Sequence, residues 1–127
     1  MDQETFDRIV SNYRPTGGFQ KMDPEFKEVW LEALRGGEYA QGKGFLCDLY
    51  GNHCCLGVAA KVAGVPFEVS KAASAFEFEF VFGDGLRDGC VPTGWKGLRG
   101  PSLDALMTLN DRGATFDQIA DFIEEVL

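Results

Sequence analysis

Apolar residues recur at helical spacing in several separate stretches of this chain, and glycine or proline closes most of them. That pattern limits the fold to short helices, each of which must bury one stripe against its neighbours or a sheet. Phe6, Ile9, Val10 and Tyr13 fall at i, i+3, i+4 and i+7 before the break at Pro15-Thr16-Gly17-Gly18. Asp23 is a good N-cap and Pro24 suits the first helical position. Phe26, Val29, Trp30, Ala33 and Leu34 then trace one face up to Gly36-Gly37. A third helix is expected from about Cys54 to Ala63, with Cys55, Val58, Ala59 and Val62 as its buried stripe and Gly64 as its stop. Its small residues, Gly57, Ala59, Ala60 and Ala63, would let another element pack close. Ser102 caps a short fourth helix carrying Leu103, Leu106 and Met107. After a turn at Asn110-Asp111-Arg112-Gly113, Thr115 and Gln118 form a capping box. The final helix buries Phe116, Ile119, Ala120, Ile123 and Leu127.

Two stretches read as strands. One is Phe45 to Tyr50, closed by a Gly51-Asn52 turn. The other is Phe76-Glu77-Phe78-Glu79-Phe80-Val81-Phe82, whose period-two alternation marks a half-buried strand facing the core, a ligand or a partner. Residues 83 to 101 follow as a long loop with six glycines and two prolines. The expected fold is therefore α+β: about five helices packed on a small, mainly antiparallel sheet, in a single domain over residues 1–127. A chain of 127 residues buries roughly two-thirds of its unfolded surface, so it needs no staples.

The net charge of −8 argues against DNA or RNA polymers, which need clustered Lys and Arg. It leaves room for a small anionic ligand held by a few local donors. No apolar run approaches the roughly 20 residues of a membrane span, and MDQETFDRIV lacks the features of a secretory signal. The expected location is the cytoplasm, where thiols stay reduced. The four cysteines are Cys47, Cys54, Cys55 and Cys90. A zinc set of Cys47, His53, Cys54 and Cys90 lacks the usual paired spacing, so buried thiols are expected, with no metal and no cofactor.

Four groups of residues carry candidate chemistry. Cys54 opens a helix, which favours a thiolate, but the chain's one histidine, His53, is its sequence neighbour and poorly placed as a base. Asp117, Asp121 and Glu125 share one helix face, either solvated or offered to a basic partner. Glu38-Tyr39-Ala40-Gln41-Gly42-Lys43-Gly44 is either an ordinary turn or a loop whose glycines admit a ligand to the backbone, where Lys43 would add charge and Tyr39 and Gln41 would stack and hydrogen-bond. This is not a P-loop. Asn110 and Arg112 lie in a turn, where Asn commonly satisfies the backbone and Arg can pair with an acid or a phosphate. Trp95 and Lys96, near Arg99, add stacking and charge from the long loop. The expected ligand site is thus Tyr39, Gln41, Lys43, Trp95, Lys96, Asn110 and Arg112, without catalytic residues.

Three blocks together carry a resemblance: Trp30-x-x-x-Leu34-Arg35-x-Gly37-x-Tyr39-x-Gln41-Gly42-x-Gly44, then Cys54-Cys55-Leu56-Gly57-Val58, then Leu109-Asn110-Asp111-x-Gly113-x-x-Phe116-x-x-Ile119-Ala120-Asp121-x-Ile123-Glu124. In this order the chain resembles a family of small proteins from tailed bacteriophages and prophages. The resemblance covers roughly residues 26 to 64 and 103 to 127. It implies a phage protein acting in the host bacterial cytoplasm. By analogy it suggests an anti-defence sponge, a non-enzymatic protein that sequesters a small nucleotide-type immune signal. The rival expectations are a protein–protein inhibitor docking through the acidic final helix, and a cysteine-dependent enzyme built on Cys54. A homo-oligomer is left open.

Overall fold

Pro24 has no amide hydrogen to lose in a first helical turn, and Asp23 supplies the cap that turn needs: its Oδ2 accepts from the Phe26 N–H at 2.9 Å. The helix so started is one of five in the computed structural model, which describes residues 1–64 and 95–127. They are α1 (Gln3–Tyr13), α2 (Pro24–Arg35), α3 (Cys55–Ala63), α4 (Gly100–Asp111) and α5 (Phe116–Val126). A single 3-10 turn, Trp95–Gly97, precedes α4. Helix α1 packs on α4, α2 lies against both α3 and α5, and α4 touches α3 and α5. Trp30, Leu56, Leu106, Leu109, Ile119 and Ile123 are fully buried where these faces meet. The Trp30 indole N–H donates to the Cys55 carbonyl at 3.0 Å, so its one polar atom is satisfied inside the core.

The expected α+β fold on a small antiparallel sheet is overturned: the described residues are helical and contain no strand or sheet. Residues 45 to 50 are irregular. Two isolated bridges, Gln41 to His53 and Cys47 to His53, replace the expected ladder. The cause is local. The Asp48 carboxylate accepts from the Tyr50 and Asn52 N–H groups at 2.8 and 2.9 Å and from Asn52 Nδ2 at 3.1 Å. Those bonds fold the chain into a tight Asx-type turn and take the donors a ladder would use. Phe76 to Phe82 lies outside the described residues.

Smaller corrections follow the same logic. Val29, expected on the buried face of α2, is 49% exposed. Helix α4 begins at Gly100, ahead of the expected cap Ser102, because Pro101 is tolerated in a first turn; Ser102 is buried inside the helix. Asn110 is likewise a helical residue rather than a turn residue, and Arg112 is the C-cap. The Thr115–Gln118 capping box forms as read. Gly57 confirms the close packing expected of α3. A Cβ there would collide with the Leu46 carbonyl, so the chain at Leu46 lies directly on the helix. Among the described residues no helix is long and apolar enough to cross a membrane.

Candidate functional site

Asn110 organises the region where the candidate residues gather. It is fully buried near the end of α4, and both ends of its amide are used. Its Oδ1 accepts from the Cys55 N–H at 3.1 Å and from Gln41 Nε2 at 2.9 Å. Its Nδ2 donates to the Gly42 carbonyl at 2.8 Å and to Asp111 Oδ1 at 3.3 Å. Gln41 is engaged as fully: Nε2 also donates to the Ala114 carbonyl at 2.7 Å, and Oε1 accepts from the Phe116 N–H at 3.1 Å. Asp111 Oδ1 accepts from the Gly44 N–H at 3.0 Å. These bonds clamp the 41–44 loop, the start of α3 and the end of α4 into one ledge.

The ledge divides the expected site into two kinds of residue. Gln41 and Asn110 are internal clamps, with their donors and acceptors committed to the fold. Lys43 and Arg112 are exposed on the two clamped segments, and neither is in an ion pair among the described residues. Tyr39 is half-buried, its ring meeting His53 edge to face at 5.2 Å. Lys96 goes elsewhere. It adopts a left-handed backbone (φ 51°), its carbonyl accepts from the Asp23 N–H at 2.8 Å, and its ammonium lies 5.8 Å from the Phe26 ring centre. The Trp95 side chain lies outside what the structure describes. His53, weighed in the sequence only as a base or metal ligand, belongs to this neighbourhood, as does Asp111, which was not proposed as a site residue; the Leu-Asn-Asp spacing opposite the Gln-Gly-x-Gly loop was the available signal for Asp111. All three sequence blocks that carry the resemblance meet at Asn110.

The mouth of α3 is closed to anions and to thiolate chemistry. The Cys55 N–H is taken by Asn110, and the Gly57 N–H donates to the Cys54 thiol at 3.3 Å. Cys54 is thus the N-cap itself, and burial pushes its thiol up to about 12. Backbone N–H groups at the start of α3, those of Gly57 and Leu56 foremost, pull the other way, and burial outweighs them. The His53 ring bonds the Gly51 carbonyl through Nδ1 at 3.0 Å, and burial lowers its affinity for a proton. Cys47 is also buried and pushed up by burial, and Cys90 lies outside the described residues. Iodoacetamide at neutral pH should therefore label Cys54 no faster than the protein unfolds. Rapid labelling of Cys54 in the native state, read by peptide mapping, would restore the nucleophile. Among the described residues no group of three His, Cys, Asp or Glu could hold a metal ion.

The acidic face of α5 is not uniformly solvated. Arg35 at the end of α2 bonds Asp121 Oδ1 at 2.7 Å and Glu124 Oε2 at 2.8 Å. Lys27 and Lys21 donate to the Glu124 and Val126 carbonyls at 2.9 and 3.0 Å, which completes the last turn. Asp117 and Glu125 remain exposed.

A family model described as a domain of unknown function (DUF8296) matches residues 22–78, under half of the chain. The matched stretch contains α2, the ledge loop and α3 but not α4, which supplies Asn110. No curated protein and no solved structure matches the chain.

Proposed function

We propose that the protein binds a small anionic ligand of the nucleotide type without transforming it, and that the ledge of residues 39–44 and 110–113 is where it does so. One observation supports this reading above the others: the clamp at Asn110 sets Lys43 and Arg112 on adjoining segments, exposed and outside any described ion pair. Two cations carried on clamped backbone segments offer charged donors to phosphate oxygens. Tyr39, half-buried against His53 in the same loop as Lys43, offers an aromatic surface for a base. Asp111 opposes an anion here, but its Oδ1 is turned toward the Gly44 N–H and the Asn110 amide. With the origin that the resemblance implies, the ligand would be an immune signal sequestered in the host cytoplasm by a phage protein.

Calorimetry with ADP, ADP-ribose and a cyclic dinucleotide tests the reading. The protein should bind at least one of them. Lys43→Ala and Arg112→Ala should each weaken that binding by about 1–3 kcal/mol, the range for hydrogen bonds to charged groups. Lys96→Ala should leave it unchanged, because Lys96 sits against Phe26. No binding of any of the three, or binding indifferent to both ledge cations, removes the proposal.

A further inference from the structure

His53 is held against the ledge loop by its backbone and by its ring. Its N–H donates to the Ala40 carbonyl at 2.8 Å, and its carbonyl accepts from the Gly42 N–H at 2.7 Å, so it lies alongside Gln41. Its ring meets that of Tyr39. The tautomer of the neutral ring is set by its surroundings. Nδ1 lies 3.0 Å from the Gly51 carbonyl, which can only accept, so Nδ1 carries the proton. Nε2 is then a lone-pair acceptor. Among the described residues Nε2 has no partner, and it is open to solvent, because no buried side-chain nitrogen or oxygen there is left unbonded. The groups around the ring favour its neutral form. Burial is the largest influence and lowers its affinity for a proton; Lys61 of α3 adds to this, and the Gly51 carbonyl and Asp48 of the adjoining turn oppose it.

We propose that His53 Nε2 reads the base of the ledge ligand by accepting a hydrogen bond from its exocyclic amino group, which makes adenine nucleotides the ligand class. This rests on the ledge reading and adds what the base must carry. Lys43 and Arg112 recognise phosphate and are indifferent to the base. Tyr39 stacks on any base, since each has a π face. Nε2 discriminates: at neutral pH it accepts a hydrogen bond and cannot donate one. In adenine the 6-amino group is the only donor of the base. Tyr39 and Lys43 are four positions apart, so at most about 14 Å of extended chain separates the base end of the ledge from its phosphate end.

Calorimetry on the full-length protein tests the contact by comparing ADP with purine riboside diphosphate, which has hydrogen where adenine has its amino group. At neutral pH ADP should bind about two- to tenfold more tightly, the range for one net hydrogen bond. His53→Phe keeps a ring against Tyr39 without an acceptor and should abolish the difference. His53→Gln returns an acceptor near the Nε2 position and should restore part of it. Both variants lose the bond to Gly51, so the ratio of the two ligands is the readout rather than either affinity. In the parent the ratio should hold above the ordinary imidazole value of about 6.5 and shrink as pH falls below it, because a proton on Nε2 turns the acceptor into a donor. The two ligands carry equal charge, so effects of pH on cations and phosphates cancel. Equal binding of the two diphosphates by the parent, or a difference that survives in His53→Phe, overturns the contact. Pyrophosphate bound as tightly as ADP overturns it and leaves the ledge standing. No binding of ADP or pyrophosphate overturns it too, and the ledge with it if ADP-ribose and the cyclic dinucleotide are also refused.

Discussion

Asn110→Ala should lower the unfolding free energy by about 4 kcal/mol. Removing the amide takes away an acceptor of the buried Cys55 N–H, the donor to the part-buried Gly42 carbonyl and one of the bonds to Gln41. Each hydrogen bond lost at a buried polar group costs about 1–3 kcal/mol, so the sum is a large share of the ~5–15 kcal/mol that holds a domain. Urea denaturation measures it. Asn110→Asp separates the two halves of the amide: it keeps the acceptor for Cys55 and Gln41 but loses the donor to Gly42 and buries a charge. It should be at least as damaging. A loss below about 1 kcal/mol in both variants would mean that the network does not hold the ledge.

Gly57→Ala should cost about 2–3 kcal/mol, although alanine is the better helix former by about 1 kcal/mol. The added methyl group meets the carbonyl, Cα and carbonyl carbon of Leu46, which are backbone atoms and cannot rotate away. Either α3 or the 45–47 segment must shift, and Cys55 and Leu56 on α3 are buried in the core. The midpoint of thermal unfolding should fall by about 10 °C. A midpoint equal to or above that of the parent would show that Leu46 does not approach the helix this closely.

The helical skeleton was legible because its signals are local. Asp23-Pro24, the Thr115–Gln118 box and the Phe6-Ile9-Val10 stripe act within one or two turns, and each appears as read. The small-residue face of α3 was legible too, as a place for close approach, though not its occupant. The failures were of context. Phe45 to Tyr50 has strand-like residues, but strand propensity expresses itself only against a partner, and Asp48 bends the segment away from one. The candidate site was half legible. Sequence named Gln41 and Asn110 as ligand-binding residues; the structure shows both bonded into the fold. That bonding joins positions 69 residues apart, which no local pattern reveals. Lys96 was named a ligand residue as well, and its ammonium lies 5.8 Å from the Phe26 ring centre, a long-range contact that no local pattern reveals.

The Asn110 clamp also sets a timetable for a chain made from its N-terminus. The Cys55 N–H waits for a partner synthesised 55 residues later. At roughly 5–20 residues per second, translation needs several seconds to deliver it. During that interval the nascent chain can form α1 and α2, whose caps and stripes are local, but not the finished ledge. The α3 segment, rich in small apolar residues, has α2 to pack on but lacks its α4 contacts until α4 emerges. A chain arrested before residue 110 should therefore be protease-sensitive between residues 41 and 57, and release past α5 should protect that stretch in one step.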